Sequence, residues 1–371
     1  MPELDSIRGL AILGVVFYHG LYWARDFSPF TSSQKTILLL VSPGQFGVNL
    51  FFVLSGFLIT GLLLDSRARP DYYKRFYIRR ALRILPAYYA ILLFLVATRL
   101  TSSSFLLMSL LYCSNLSLLF GISMSYAVLW SLAVEEHFYL AWPLAVRRIS
   151  TPVLMGIAAG IIVLSPLMRL LCCWHAVKMN ITGDGCFYYT WNTADGLACG
   201  ALLSIAVRKF RSSRRRLLQL SLIFFALAGL LALLGWPYGI TTRKTAIGAA
   251  LQWTPWNFAF TGLLGLFLLA GTSRWRSYVA PPLLLFFGRI SYGLYLVHIL
   301  FFHAYDRLLP RIAPQSFLIL GTWGALWARF AIAGAAGVAC AYLSRRFFEE
   351  PFLRLKGRFS TSSNRTMLEA N

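Results

Sequence analysis

Apolar residues run along this chain in long stretches, near 7–24, 44–64, 81–100, 104–121, 127–146, 152–171, 190–207, 217–236, 246–270, 283–303 and 323–344. Each approaches the roughly 20 residues that a helix rising about 1.5 Å per residue needs to cross a hydrocarbon core about 30 Å thick. Charge placement decides how many cross. If all did, Arg147 and Arg148 would fall opposite the basic loop from Arg67 to Arg83. If 104–121 does not, that loop shares one side with Arg147 and Arg148, with Arg208 to Arg216, with Arg274 and Arg276, and with Arg345 to Arg365. Lys and Arg gather on the cytoplasmic side of membrane proteins. The expectation is therefore an all-α polytopic membrane protein with ten transmembrane helices and both termini cytoplasmic. Segment 104–121, with Asn115 and Ser117 inside it, is expected to be re-entrant or interfacial.

Composition agrees with this reading and narrows it. Of 371 residues, 58% are hydrophobic and 13% charged, too apolar for a soluble protein's surface. Lys and Arg number 35 against 13 Asp and Glu, a net charge of +22. In a polar chain that would suggest nucleic acid; here a basic cytoplasmic face accounts for it, and no nucleic-acid partner is expected. The six cysteines show no metal-ligand spacing, so no metal site is expected; Cys172, Cys173 and Cys186 fall in an expected outer loop, as apolar filler or as a disulfide. The first stretch carries Arg8 and His19 and reads as a retained span, not a cleaved signal. One transmembrane domain over 1–355 and a short, disordered cytoplasmic tail over 356–371 complete the expected organisation.

Few ionisable groups lie inside the apolar stretches. Arg8 and His19 are eleven residues apart, close to three turns, so they share a helix face about 16 Å apart. His19 lies more than halfway across, where an ionisable group is expensive and functional by default; the plainer reading is a bond to a neighbouring helix. Arg80 and Arg83, at i and i+3, offer two guanidinium forks suited to phosphate, although any cytoplasmic loop collects arginine. Glu135 and Glu136 are adjacent, about 100° apart on a helix, so one of them faces a site. Glu135 falls near the depth of His19 and either orients the imidazole or forms a salt bridge, for example to Arg329 or Arg289. Ser291, Tyr295 and His298 form a polar stripe, and Asp195 is a further intramembrane acid; each is either a substrate-site group or helix glue. His175 and His303 receive no role.

The ordered motifs Leu4-Asp5-Ser6-Ile7-Arg8-Gly9-Leu10 through Tyr18-His19, Gly47 to Ile59, Arg80 to Pro86, Trp130-Ser131-Leu132 with Val134-Glu135-Glu136, Ile290-Ser291-Tyr292 with Tyr295 and His298, and Phe348-Glu349-Glu350-Pro351-Phe352 resemble the membrane-bound acyltransferase 3 family. The resemblance implies a ten-helix enzyme of the bacterial inner membrane. It takes an acyl group, commonly acetyl, from cytoplasmic acyl-CoA and places it on a hydroxyl of a carbohydrate or other envelope acceptor, with no permanently bound cofactor. By position, His19 is the catalytic histidine, Arg8 belongs to its motif, and Arg80 and Arg83 match the donor-contacting pair. Glu135 and Ser291 are expected to assist His19, by fixing its tautomer or stabilising an oxyanion; Tyr295, His298, Asp195 and Glu136 are expected near the substrate. Asn49, His137 and Thr193 depart from the family pattern, and no added esterase-like domain is expected after Pro351. The alternative from another class is a proton-coupled transporter or flippase that uses His19, Glu135, Asp195 and His298 as a relay.

Overall fold

Eight helical segments are long and apolar enough to cross a membrane among the residues that the computed structural model describes, namely 1–23, 26–178, 183–209, 213–242, 245–312 and 316–358. The α-helices are α1 (Pro2–Phe17), α2 (Ser32–Val41), α3 (Gly47–Asp65), α4 (Tyr72–Thr98), α5 (Ser103–Leu110), α6 (Leu129–Arg148), α7 (Thr151–Lys178), α8 (Thr190–Lys209), α9 (Arg214–Gly235), α10 (Ala246–Leu251), α11 (Thr254–Gly271), α12 (Arg276–Val279), α13 (Pro282–Ile312), α14 (Ser316–Leu343) and α15 (Glu350–Arg358). No strand occurs among the described residues.

Of the ten expected spans, α6 and α8 fall outside the eight. Each has 20 residues, about 30 Å of helix, but Glu135, Glu136 and His137 dilute one and Asn192, Thr193 and Asp195 the other. α8 is largely buried, and in α6 Glu135 and His137 bond Ser55 and Thr190 of neighbouring helices while Leu140 and Leu144 are exposed. The stretch 104–121 does not form a long helix. It gives the eight-residue α5, about 12 Å long, then a reversal at Tyr112 with φ of 55°, then a 3-10 turn over Ser114–Phe120. Of the expected tail, residues 356–358 are the end of α15, and 359–371 lie outside the described residues, as do Arg211 and Arg365 of the basic loops.

Lipid tails are as apolar as leucine, so close packing and hydrogen bonds, not the hydrophobic effect, hold such helices together. Two crossings are tightest. In α1 and α13 a Cβ on Gly9 would overlap the Leu284 carbonyl and one on Gly288 the Asp5 carbonyl. In α3 and α8 the same holds for Gly56 against Leu197 and Gly200 against Val53. Above the first crossing His19 meets His298, and beyond the second Asp65 meets Arg208, so both pairs run parallel. α4 runs with α13, since Tyr292 bonds the Ile84 carbonyl and Phe94 shares a groove with Leu300. α6 runs with α3, Ser55 bonding Glu135 and Thr60 bonding Trp142.

One ion pair is sealed inside the bundle. Arg169 of α7 and Asp195 of α8 are both fully buried, with Nη2 3.0 Å from Oδ2. The rest of the guanidinium donates to the Ala250 and Asn192 carbonyls and to Thr254 Oγ1. Each charge is therefore fully hydrogen-bonded, the condition under which a buried pair is tolerated. Asp195→Ala would leave Arg169 buried and unpaired. Thermal unfolding in detergent is expected to show a loss of about 3–5 kcal/mol. Gly288→Leu, which forces α1 and α13 apart, is expected to abolish folded protein in size-exclusion profiles.

Candidate active site

α1, α3, α4, α6 and α13 enclose a cavity of about 270 Å³ that gathers Arg8, Arg80, Arg83, Ser131, Glu135 and Ser291. Arg8 Nη1 is 2.8 Å from Asp5 Oδ1, one turn back on the same helix. Arg80 lies over the Tyr139 ring at 3.9 Å, and its Nε is buried without a hydrogen-bond partner. Among the described residues no carboxylate forms an ion pair with Arg80 or Arg83. Three guanidinium groups that converge with so little compensation favour an anion between them. Arg169 differs: all of its donors are used within the protein.

The cavity's carboxylate is Glu135. Its Oε1 accepts from Ser55 Oγ at 2.6 Å, and Tyr139 donates to the same serine at 3.2 Å. Glu136 is not among the lining residues. Ser291 lines the cavity with its hydroxyl donated to the Gly288 carbonyl at 2.9 Å. Farthest from the arginines along α13, Tyr295 joins Ser131 through their hydroxyls at 2.6 Å.

One turn further along α13 comes the histidine pair. α1 ends in a π-turn, Tyr18–Tyr22, which carries His19; such turns recur at functional sites. His19 Nδ1 is 2.9 Å from the Val15 carbonyl and 3.4 Å from His298 Nε2. A carbonyl only accepts, so Nδ1 carries the proton. His298 Nδ1 likewise donates to the Tyr295 carbonyl at 2.8 Å, which leaves its Nε2 as an acceptor toward His19. His19 Nε2 then keeps a lone pair with no partner among the described residues. That is the form a general base needs. Arg329 of α14 holds the turn, donating to the Gly20 carbonyl at 2.7 Å while paired with Asp306 at 2.6 Å.

The family model described as an acyltransferase domain, the acyltransferase 3 model, matches residues 1–346. The chain belongs to this family. It is 28% identical to the peptidoglycan O-acetyltransferase OatA of Listeria monocytogenes over 95% of its own length and 55% of that protein's. It is 33% identical to the putative peptidoglycan O-acetyltransferase YrhL of Bacillus subtilis over 39% of its length and 23% of the relative's. A putative O-acetyltransferase of Staphylococcus aureus is 26% identical over 82% of the chain and 52% of the relative. The chain thus spans about half the length of these relatives or less. No solved structure matches it.

Of the candidates read from the sequence, Arg8, Arg80, Arg83, Glu135, Ser291 and Tyr295 meet at one cavity, and His19 and His298 touch each other beside it. Asp195 is elsewhere, tied to Arg169. His298, not Glu135 or Ser291, bonds the His19 imidazole; Glu135 bonds Ser55, and neither Arg289 nor Arg329 pairs with it. Among the departures, Asn49 bonds Asn257, His137 bonds Thr190, and Thr193 bonds the Tyr189 carbonyl. Among the described residues no disulfide joins the cysteines, and Cys172 and Cys173 lie in α7. Sequence reasoning missed Arg169, an intramembrane arginine visible in 152–171, and the roles of Ser55 and Tyr139, whose polarity is ordinary. Arg329→Leu is expected to free the Gly20 carbonyl and leave Asp306 unpaired. Hydrogen exchange should then rise across residues 18–22 while α3 and α8 keep their protection.

Proposed function

We propose that this chain is an integral membrane O-acetyltransferase, moving acetyl from cytoplasmic acyl-CoA to a hydroxyl of a cell-envelope carbohydrate of the peptidoglycan type. The observation that carries this is an under-neutralised arginine cavity whose lining ends at Tyr295, one turn of α13 before the His298–His19 contact, with His19 Nε2 left without a partner among the described residues. The names of the relatives supply the acetyl group and the acceptor class. The reading includes ten crossings with both termini cytoplasmic, supported by the parallel runs of α1, α4 and α13 and of α3 and α6. The basic loops then put Arg80 and Arg83 at the cytoplasmic end, in a multi-pass protein of the bacterial inner membrane.

In this mechanism Arg8, Arg80 and Arg83 grip the donor's phosphates, and the thioester arm extends past Tyr295 and Ser131 toward His19. The separation of Arg8 and His19, about 16 Å along the helix, suits a long arm. His19 Nε2 takes the proton of the acceptor hydroxyl, and the oxygen attacks the thioester carbonyl carbon. The C–S bond of the resulting oxyanion breaks, the acetyl group stays on the acceptor, and the thiolate recovers the proton from the imidazolium. His298 stabilises that imidazolium by accepting from Nδ1–H, the part a carboxylate takes in catalytic triads. Glu135, held by Ser55, limits the positive charge of the cavity so that donor product can leave.

His19→Ala is expected to lower acetyl transfer by about 10²–10⁴-fold with donor binding retained; transfer at the unmodified rate would reject the assignment. Arg80→Ala with Arg83→Ala should raise the donor KM at least about tenfold, each charged hydrogen bond contributing about 1.5–3 kcal/mol. His298→Gln, which keeps an acceptor, should retain more kcat than His298→Leu at equal donor KM.

A further inference from the structure

Behind α13, on the side away from the arginine cavity, a second cavity of about 490 Å³ lies between α4 and the α13–α14 pair. Its wall is apolar, built by Ile91 and Phe94 of α4, Val297, Leu300 and Phe301 of α13, and Cys340 of α14. Along α13 it runs from Gly293 to Arg307, about 21 Å, or two-thirds of a hydrocarbon core. A groove of that length, parallel to the membrane-spanning helices, has the shape of a lipid chain. Its two ends differ. One reaches Ser344 and Phe348; the other carries His303 and Arg307, both exposed. Arg307 forms no ion pair among the described residues, because its neighbour Asp306 is engaged by Arg329. The basic end is also the end nearest the histidine pair: the Trp23 ring lies 6.3 Å from His303 on one side and 5.7 Å from His19 on the other.

We infer that this groove seats a lipid carrier: a long hydrocarbon chain lies along α13, its phosphate meets Arg307 and His303, and the saccharide it bears rests on Trp23 with a hydroxyl at His19. The inference rests on the acetyltransferase reading for the saccharide's fate, and it names the acceptor as lipid-linked. Charge complementarity selects a phosphate over a zwitterionic head group at Arg307. The exposed indole, 42% accessible, offers a flat face for a sugar ring between the phosphate and the base. Acyl donor and acceptor then approach the His19 region by separate routes on opposite sides of α13.

The test uses the purified full chain in detergent and a photoreactive polyprenyl phosphate. Crosslinks are expected in residues 87–100 and 293–307, displaced by unlabelled polyprenyl phosphate and not by phosphatidylglycerol or phosphatidylcholine. Arg307→Glu, a surface change, should lower labelling at least fivefold. Crosslinks elsewhere, equal labelling of that variant, or equal displacement by phosphatidylglycerol would overturn the proposal. Val297→Trp, which fills the groove, should raise the KM for a saccharide on polyprenyl diphosphate at least tenfold and leave that for the same lipid-free saccharide and for the donor unchanged. An equal effect on both saccharides would also overturn it. Intact labelling of the groove with no acetylation of either saccharide would refute the transferase reading and keep the groove as a lipid-phosphate site.

Discussion

The close crossing of α1 and α13 at Gly9 and Gly288 is the constraint on which the site depends. With no Cβ on either side the two backbones meet at van der Waals distance, carbonyl against glycine, and this fixes their relative height. From there each helix rises in parallel to its histidine, and His19 arrives at His298. On the same pair of helices Arg8 and Ser291 border the arginine cavity. One packing contact thus sets the register of His19, His298 and part of the arginine cluster.

Charge inside the bundle is handled in two ways, and the difference separates structure from chemistry. Arg169 and Asp195 are sealed, with carbonyls and a hydroxyl using up the remaining donors. Arg329 is also paired within the protein, donating to both oxygens of Asp306 and to the Gly20 carbonyl. Arg80 and Arg83 have no carboxylate partner among the described residues and open on a cavity. Keeping like charges together without counter-ions costs stability, and a bound anion offsets that cost. The fold therefore reserves its unsatisfied donors for the place where a ligand would complete them.

Much of this was legible in the sequence. Long apolar stretches gave the helices, and the polar residues of 104–121 marked the segment that folds into short turns. The Arg80 and Arg83 spacing and the Ser291, Tyr295 and His298 stripe projected onto shared faces, as the helix period requires. Partners across helices were not legible. That Asp195 meets Arg169, and that Glu135 meets Ser55, depends on which helices pack together and at what height, which one chain read linearly does not carry. At α6 and α8, stretches that the apolar pattern counts as spans, Glu135 and Asp195 lower the mean hydropathy and find their partners, Ser55 and Arg169, on neighbouring helices. The π-turn at His19 left no mark in the pattern: it adds one residue to the last turn of α1, and the chain becomes extended at Trp23 before any further turn could show the shifted period.

The most direct test of the account is a cryo-EM structure of the chain with a non-reactive acetyl-CoA analogue bound. The account predicts phosphate density at Arg80 and Arg83, with the arm passing Tyr295 and the thioester carbonyl beside His19 Nε2. Phosphates held away from those arginines, or an acyl group that stops on the arginine side of Tyr295 and Ser131 with no route to His19, would contradict it.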